Sequence, residues 1–221
     1  MNEKLLKKEI CEIGKRIYLN GFVAANDGNI SVKISDNAFL TTPTGISKGY
    51  MRPEMIVKVN SKGEVLEGRY RPSSEVKVHL KVYKERPDVG AVIHAHPPIA
   101  TAYAVAGVPL DRRILPETIY ALGYVPVIDY AIPGSRELAD GLAEYLQRFD
   151  ALLMANHGSV TVGADLTGAY YKLETLEFYA KITLLTKLIG QQRELPQTEV
   201  EKLIDSRKRS DIPGKHPEIS D

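Results

Sequence analysis

Cysteine, tryptophan and long apolar runs are scarce or absent in this chain. Its one cysteine, Cys11, cannot form a disulfide within these 221 residues. No segment approaches the roughly 18 consecutive apolar residues that a membrane helix needs. The first residues carry scattered charges in place of the continuous apolar core of a secretion signal. We therefore expect a cytoplasmic protein that does not bind to or cross a membrane.

An excess of charge of either sign is also missing. The chain has 29 Lys and Arg against 28 Asp and Glu, a formal net charge of +1. This balance provides no overall positive field for nucleic acid, so any anion must be bound by a local site. With 43% hydrophobic and 26% charged residues, the composition is that of a globular protein and not of a disordered chain.

Apolar residues at helical spacing predict most of the helices. Leu6, Ile10, Ile13 and Ile17 share one face of a first helix, which should end near Gly21. The other predicted helices run from a cap at Ser73 or Ser74 to Pro87, over 135–147, from Asp165 to 189, and over 198–208.

Alternating apolar residues predict two antiparallel hairpins, and two short apolar runs predict buried strands. The hairpins cover 30–41 and 55–65, and the buried strands begin at Ala91 and Ala151. Strands gathered early and helices interleaved later favour an α/β or α+β arrangement around one sheet. No linker divides the chain, so we predict one catalytic domain over 1–190 and a polar helix and tail over 191–221.

Three of the five histidines lie at the ends of the two buried strands. Residues i and i+2 of a strand point to the same face, so His94 and His96 present two imidazoles side by side. His157, at the end of the other strand, is the natural third ligand. Catalytic zinc sites typically use three protein ligands and leave one position open, so this set suits a divalent metal. The alternative is three ordinary histidines bonded to carbonyl groups.

The other two histidines have simpler interpretations. His79 lies one helical turn after Glu75 and at most supports the site from behind, and His216 lies in the polar tail.

Three turns rich in glycine and hydroxyl groups are candidates for binding phosphate. They are Gly28–Ser31, Thr42–Gly45 and Pro72–Glu75. Hydroxyl groups and unpaired N–H groups at the start of a helix suit an anion. For any one turn alone, a role in turn formation or helix capping is the alternative.

Taken together, GNIS (28–31), TPTG (42–45), PSSE (72–75), HAH (94–96) and NHG (156–158) resemble the class II aldolase/adducin family, in its L-fuculose-1-phosphate aldolase branch. The resemblance extends through residues 1–190. It implies a three-layer α/β/α sandwich with a largely antiparallel central sheet. It also implies a homotetramer with active sites at the subunit interfaces.

The resemblance implies a role for each matching residue. His94, His96 and His157 correspond to the ligands of one Zn²⁺, or another divalent metal, per chain. Glu75 corresponds to a carboxylate that binds the free metal and acts as the catalytic acid or base. The positions that correspond to the substrate phosphate pocket are Asn29, Thr44, Gly45, Ser73 and Ser74.

The implied activity is that of a zinc-dependent aldehyde-lyase. It would cleave a ketose 1-phosphate reversibly to dihydroxyacetone phosphate and an aldehyde. The family supplies a tyrosine from a neighbouring subunit at a position that falls near 115–117, where this chain has none. Glu117 and Tyr120 are therefore the candidates for the aldehyde side.

Other activities remain open on the same scaffold. They are a pentulose-5-phosphate 4-epimerase, a metal-dependent decarboxylase or dehydratase, and a non-enzymatic adducin-like module. Glu75, where the epimerases have aspartate, favours an aldolase. Retention of the three histidines argues against the structural module.

Overall fold

The architecture is one eight-stranded sheet with helices on both faces, taken from a computed structural model that describes residues 2–210 and 212–215. The strands are β1 (Asn29–Ser35), β2 (Ala38–Thr41), β3 (Val57–Val59), β4 (Val65–Glu67), β5 (Ala91–Ala95), β6 (Val127–Ile128), β7 (Ala151–Met154) and β8 (Gly158–Gly163). The helices are α1 (Glu3–Leu19), α2 (Val76–Glu85), α3 (Pro98–Ala106), α4 (Pro116–Ala121), α5 (Arg136–Leu146), α6 (Leu166–Ile189) and α7 (Gln197–Arg209).

The strand order is β4-β3-β2-β1-β5-β8-β7-β6. Neighbouring strands are antiparallel except for β6 and β7, which are parallel. Strand β5 therefore lies in the interior of the sheet, between β1 and β8.

The two faces of β5 show how the layers form. Successive side chains of a strand point to opposite faces. Val92 packs in the cluster that includes residues of α2 and α5, whereas Ala91 and Ile93 pack in the cluster that includes residues of α1 and α6. The predicted three-layer α/β/α sandwich with a largely antiparallel sheet is confirmed.

Helix α1 has the predicted apolar face and ends where the sequence predicts, just before Gly21. Its apolar residues from Leu6 to Ile17 are buried, and the Asn2 side chain accepts hydrogen bonds from backbone N–H groups of its first turn. Gly21 follows the helix with a φ of +70°, a conformation that glycine adopts without strain. The amphipathic pattern and the glycine at its end were therefore sufficient to predict this helix.

Two local predictions need correction. Residues 53–55 form a 3₁₀ turn, so β3 begins at Val57 and not at Met55. The N-cap residue of α2 is Glu75, and neither Ser73 nor Ser74 occupies that position. The Ser73 hydroxyl instead accepts a hydrogen bond from the Glu75 N–H at 3.3 Å, which leaves the Glu75 carboxylate available for other contacts.

The C-terminal helices extend the sandwich. Asp165 caps α6, which ends at Gly190 as predicted. Helix α7 contacts α4 and buries Val200. The division of the chain at residue 190 stays a prediction, and His216 lies outside the described residues. Within 2–210 and 212–215, none of the helices is long and apolar enough to span a membrane.

Candidate metal and anion site

The three candidate ligand histidines meet where β5 ends and β7 turns into β8. His94 and His96 come from the end of β5, and His157 lies in the turn that joins the other two strands. Asn156 adopts a φ of +56°, in the left-handed region. The ring centroids of the three imidazoles lie 4.6–5.2 Å apart. The structure therefore brings together the three histidines that the sequence singled out.

Gly158 permits this close approach. A Cβ atom at that position would lie 2.5 Å from Cδ2 of His96 and 2.7 Å from the backbone oxygen of Ala95. Both distances are shorter than van der Waals contact. A residue larger than glycine would push the β7–β8 turn away from the end of β5 and separate the imidazoles.

The hydrogen bonds of His94 prepare it to bind a cation. Its Nδ1 lies 3.0 Å from the carbonyl oxygen of Ser159, which can only accept, so the ring proton is on Nδ1. The lone pair of Nε2 is therefore free, and this nitrogen lies 3.0 Å from Nε2 of His96. Two nitrogen ligands of a tetrahedral zinc ion lie about 3.3 Å apart when each Zn–N bond is about 2.0–2.1 Å.

Two further observations support a fit to a divalent cation. One nitrogen from each of the three imidazoles lies within 4.8 Å of the others. Nδ1 of His157 is buried and has no hydrogen-bond partner among the described residues. A buried polar atom without a partner is costly in a folded protein. The three histidines therefore suit a divalent metal ion that binds nitrogen ligands.

The environment keeps the imidazoles of His94 and His96 neutral, as metal ligands must be. Burial lowers the pKa of His94 well below its ordinary value, and the neighbouring imidazoles lower it further. Burial also lowers the pKa of His96, which His157 lowers further and Asp27 raises. Both rings therefore have an available lone pair near neutral pH.

Glu75 places a carboxylate beside these nitrogens. Its Oε2 accepts a hydrogen bond of 2.7 Å from Nδ2 of Asn29 and lies 3.5 Å from Nε2 of His94. Asn29 is buried and faces His94 directly across the β1–β5 pairing. The sheet register thus aligns the amide, the carboxylate and the first imidazole.

Residues of all three predicted anion-binding segments line the same cavity, which has a volume of about 160 Å³. The first segment was wrongly predicted as a turn, because its residues from Asn29 onward form the start of β1. An antiparallel bridge between Pro43 and Pro72 joins two of the turns. Ser73 is buried, whereas Ser74 is exposed. The predicted phosphate contacts that line the cavity, together with Glu75 and the histidines, are Asn29, Thr44, Gly45, Ser73 and Ser74.

Lys48 is a residue of this cavity that the sequence analysis missed. It is 2% exposed, and its Nζ donates hydrogen bonds of 2.8 Å to the backbone oxygens of Asn26 and Ile46. Burial lowers the pKa of Lys48 to about 8, and Asp27 partly opposes that effect. Lys48 therefore connects two loops of the cavity, and no periodic pattern around it signals its burial.

The two candidates for the aldehyde side do not line this cavity. Glu117 is exposed in the first turn of α4. The Tyr120 hydroxyl donates a hydrogen bond of 2.6 Å to Oγ of Ser210, at the end of α7. Within one chain, both residues remain apart from the histidines.

Comparison with known proteins identifies the family. The Class II Aldolase and Adducin N-terminal domain family matches residues 8–184. An L-fuculose phosphate aldolase of Methanocaldococcus jannaschii is 36% identical over 183 residues, which cover 83% of this chain and 98% of the relative. A 3-oxo-tetronate 4-phosphate decarboxylase of Pectobacterium atrosepticum is 34% identical over 188 residues, covering 83% and 86% of the two chains.

A solved structure shows the same similarity in three dimensions. YgbL from Escherichia coli, described as a putative aldolase/epimerase/decarboxylase, superposes with a TM-score of 0.85 at 33% identity. The match covers 91% of this chain and 98% of that one. The chain therefore belongs to the class II aldolase/adducin family, and its similarity to L-fuculose phosphate aldolases supports the branch that its motifs predicted.

Proposed function

We propose that the protein is a metal-dependent lyase that breaks a carbon–carbon bond beside the ketone of a phosphorylated substrate. The favoured reaction is reversible cleavage of a ketose 1-phosphate, similar to L-fuculose 1-phosphate, to dihydroxyacetone phosphate and an aldehyde. One observation carries the proposal. The three imidazoles and the Glu75 carboxylate line the same cavity as the hydroxyl-rich turns, so a carbonyl and a phosphate of one small molecule fit there together.

In this proposal Glu75 moves the proton. In the cleavage direction the bond between C3 and C4 breaks, its electron pair stays on C3, and the Glu75 carboxyl group transfers a proton to C3. The proton of the C4 hydroxyl leaves to a base on the aldehyde side, the role proposed for Glu117 or Tyr120 of a neighbouring subunit. A divalent cation held by the three histidines would supply positive charge that polarises the ketone.

The phosphate would bind at the opposite side of the cavity. Ser73 and Ser74 precede α2, where the positive end of the helix dipole favours an anion. The hydroxyl of Thr44 and the amide of Asn29 add donors. Among the described residues that line the cavity, Lys48 carries the one ammonium group, and it adds a positive charge next to the phosphate.

Decarboxylation is the second candidate, because one relative at 34% identity is a 3-oxo-tetronate 4-phosphate decarboxylase. Loss of CO₂ from such a substrate leaves an electron pair on the carbon beside the ketone. Protonation of that carbon again gives dihydroxyacetone phosphate. Both reactions therefore need the same proton transfer by Glu75 and the same phosphate contacts, and they differ in the fragment that leaves.

The shared step can be measured before the leaving fragment is known. The purified protein, loaded with Zn²⁺, is incubated with dihydroxyacetone phosphate in D₂O, and proton NMR follows the exchange of one C3 proton. We expect stereospecific exchange that EDTA abolishes. The protein is then assayed with ketose 1-phosphates, a 3-oxo-tetronate 4-phosphate and pentulose 5-phosphates. Epimerisation of a pentulose 5-phosphate without exchange of dihydroxyacetone phosphate would contradict the proposal.

The proposal includes one Zn²⁺ per chain, a homotetramer and a cytoplasmic location. The exposed face of α6 supports the assembly. Tyr171, Phe178 and Leu185 follow one another at seven-residue intervals and are 57%, 54% and 43% exposed. Burial of such a stripe against another subunit removes apolar surface from water. Light scattering tests the assembly, and a monomer at micromolar concentration would contradict it.

A further inference from the structure

His79 lies behind the candidate site and has a buried nitrogen without a partner. The residue is 2% exposed and lies on α2, one turn after Glu75. Its Nδ1 lies 2.7 Å from the hydroxyl of Ser31, whereas its Nε2 has no hydrogen-bond partner among the described residues. Buried polar atoms are nearly always bonded in native proteins, so this nitrogen needs an explanation.

The hydrogen bonds around Ser31 determine which ring nitrogen carries the proton. The Ser31 hydroxyl has a single proton and contacts both Nδ1 of His79 and the Tyr83 hydroxyl, at 2.7 and 2.8 Å. If the Tyr83 hydroxyl donates to Ser31, then Ser31 donates to Nδ1 of His79, and both hydroxyl protons have an acceptor. The opposite direction would leave the buried Tyr83 proton without an acceptor. The favoured tautomer of His79 therefore carries its proton on Nε2.

A small cavity lies beside this imidazole. Its volume is about 10 Å³, and its lining includes His79, Glu75 and His94. Positions i and i+4 of a helix lie on the same face, and the backbone N–H of His79 donates to the backbone oxygen of Glu75 at the start of α2. Glu75 and His79 therefore line the same small cavity, together with apolar side chains.

We propose that His79 is a positioning residue whose Nε2–H donates a hydrogen bond to the Glu75 carboxylate when that group turns away from His94. The carboxylate then has two positions. In the observed one, Asn29 donates to it beside His94. In the second, His79 holds it at the back of the site, which frees the space beside the imidazoles for a substrate oxygen. This inference rests on the proposed function of Glu75 as the proton-transfer group.

Two substitutions separate this role from simple packing. His79→Gln keeps an N–H donor near the position of Nε2, whereas His79→Asn keeps a polar atom near Nδ1 and has no donor at Nε2. We expect His79→Asn to lower the rate of C3 exchange roughly 10- to 100-fold, the range seen when a group that orients a metal-site ligand is removed. His79→Gln should retain most of the rate. Both variants should bind zinc and dihydroxyacetone phosphate.

Tyr83→Phe is the matched control for the buried network. It removes the hydroxyl that donates to Ser31 but keeps the bond from Ser31 to Nδ1, so the tautomer and the exchange rate should change little. Circular dichroism and thermal unfolding check that each variant is folded. Equal losses in His79→Gln and His79→Asn, or no loss in either, would overturn the positioning role.

A measurement without turnover tests the inference separately from the proposed function. In the full-length protein labelled with ¹⁵N-histidine, the His79 signal is assigned by its loss in His79→Gln, and we expect its proton on Nε2. With dihydroxyacetone phosphate bound, when we expect the carboxylate in its second position, Glu75→Gln should shift that proton resonance upfield, because an amide oxygen is a weaker acceptor than a carboxylate. A proton on Nδ1, or no shift in Glu75→Gln, would overturn the inference even if the protein is an active lyase. If the His79 resonance behaves as expected but no C3 proton exchange occurs, only the proposed function is rejected.

Discussion

Lys48 should make the stability of the protein increase with pH in the alkaline range. Its ammonium group is buried and bonded only to two backbone oxygens among the hydrogen bonds described. Burial lowers the pKa of this group from 10.5 to about 8. In the unfolded chain the group keeps the higher value, so between about pH 8 and 10.5 the unfolded state binds more protons than the folded state. The free energy of unfolding therefore rises with pH across this window.

The size of the effect follows from the two pKa values. Each pH unit of difference corresponds to about 1.4 kcal/mol, so the lowering of the Lys48 pKa from 10.5 to about 8 corresponds to at most about 3 kcal/mol. The contribution is fully present above pH 10.5 and is lost as the pH falls through about 8. The other titrating groups are common to wild type and variant, so their effects cancel in a comparison.

The comparison uses Lys48→Met, which removes the ammonium group and keeps a long apolar side chain. Urea unfolding of both proteins is measured from pH 7 to 10.5, at one protein concentration because dissociation of the proposed oligomer would be coupled to unfolding. The wild type should gain up to about 3 kcal/mol relative to the variant over this range. Lys62→Met, at an exposed site, controls for the loss of one positive charge. A constant difference between wild type and Lys48→Met would refute the reasoning.

Three further predictions concern the site. His96→Ala should lower the metal content from about one ion per chain to well below that while the fold remains; stoichiometric metal in a His94→Ala/His96→Ala protein, by elemental analysis, would reject the ligand assignment. Ser74→Ala should raise KM about 10-fold or more for a phosphorylated substrate and not for its unphosphorylated analogue, since a hydrogen bond to a charged group contributes about 1.5–3 kcal/mol; equal effects in steady-state kinetics would reject the phosphate contact. Glu75→Gln should bind zinc and dihydroxyacetone phosphate but lose C3 exchange and carbon–carbon cleavage together, by about 100-fold or more; wild-type exchange by NMR would return Glu75 to a structural role.

Hydrophobic periodicity and end signals predicted the helices and strands whose structure depends mainly on neighbouring residues. The period and end signals of α1 and α6 are encoded in consecutive residues, and so is the alternation of the two hairpins. The histidine cluster could also be predicted, because HAH places two imidazoles on one strand face and a second strand run ends near His157. In each case the prediction needed only the geometry of one element or the tendency of strand ends to meet.

Helix α3 shows why other elements could not be predicted. It begins at Pro98, directly after Pro97, and its sequence has no polar capping residue at its start. The backbone N–H groups of Ile99 and Ala100 donate instead to the carboxylate of Glu177 on α6, at 2.9 and 2.8 Å. Because Glu177 lies far away in the sequence, the stabilising contact forms only when the tertiary structure forms.

The same limit applies to the functional residues. One acceptor of the Lys48 ammonium group, the backbone oxygen of Asn26, lies on a distant loop, and the tautomer of His79 depends on Ser31 from β1. Neither contact has a counterpart in neighbouring sequence. Sequence motifs therefore located the groups proposed to touch metal and substrate, whereas the groups proposed to orient them required the fold.

The two side chains proposed for the aldehyde side lie outside the cavity of a single chain. Tyr120 is turned toward α7 and Glu117 is exposed, so the cavity of a single chain contains donors for a phosphate and ligands for a metal but neither of these two side chains. The part of the site that would bind the leaving fragment, and so distinguish an aldehyde from CO₂, is thus the part that one chain leaves open. In the proposed homotetramer, substrate choice should therefore depend on the surface that a neighbouring subunit brings to the cavity, while the proposed proton transfer by Glu75 depends on its own chain.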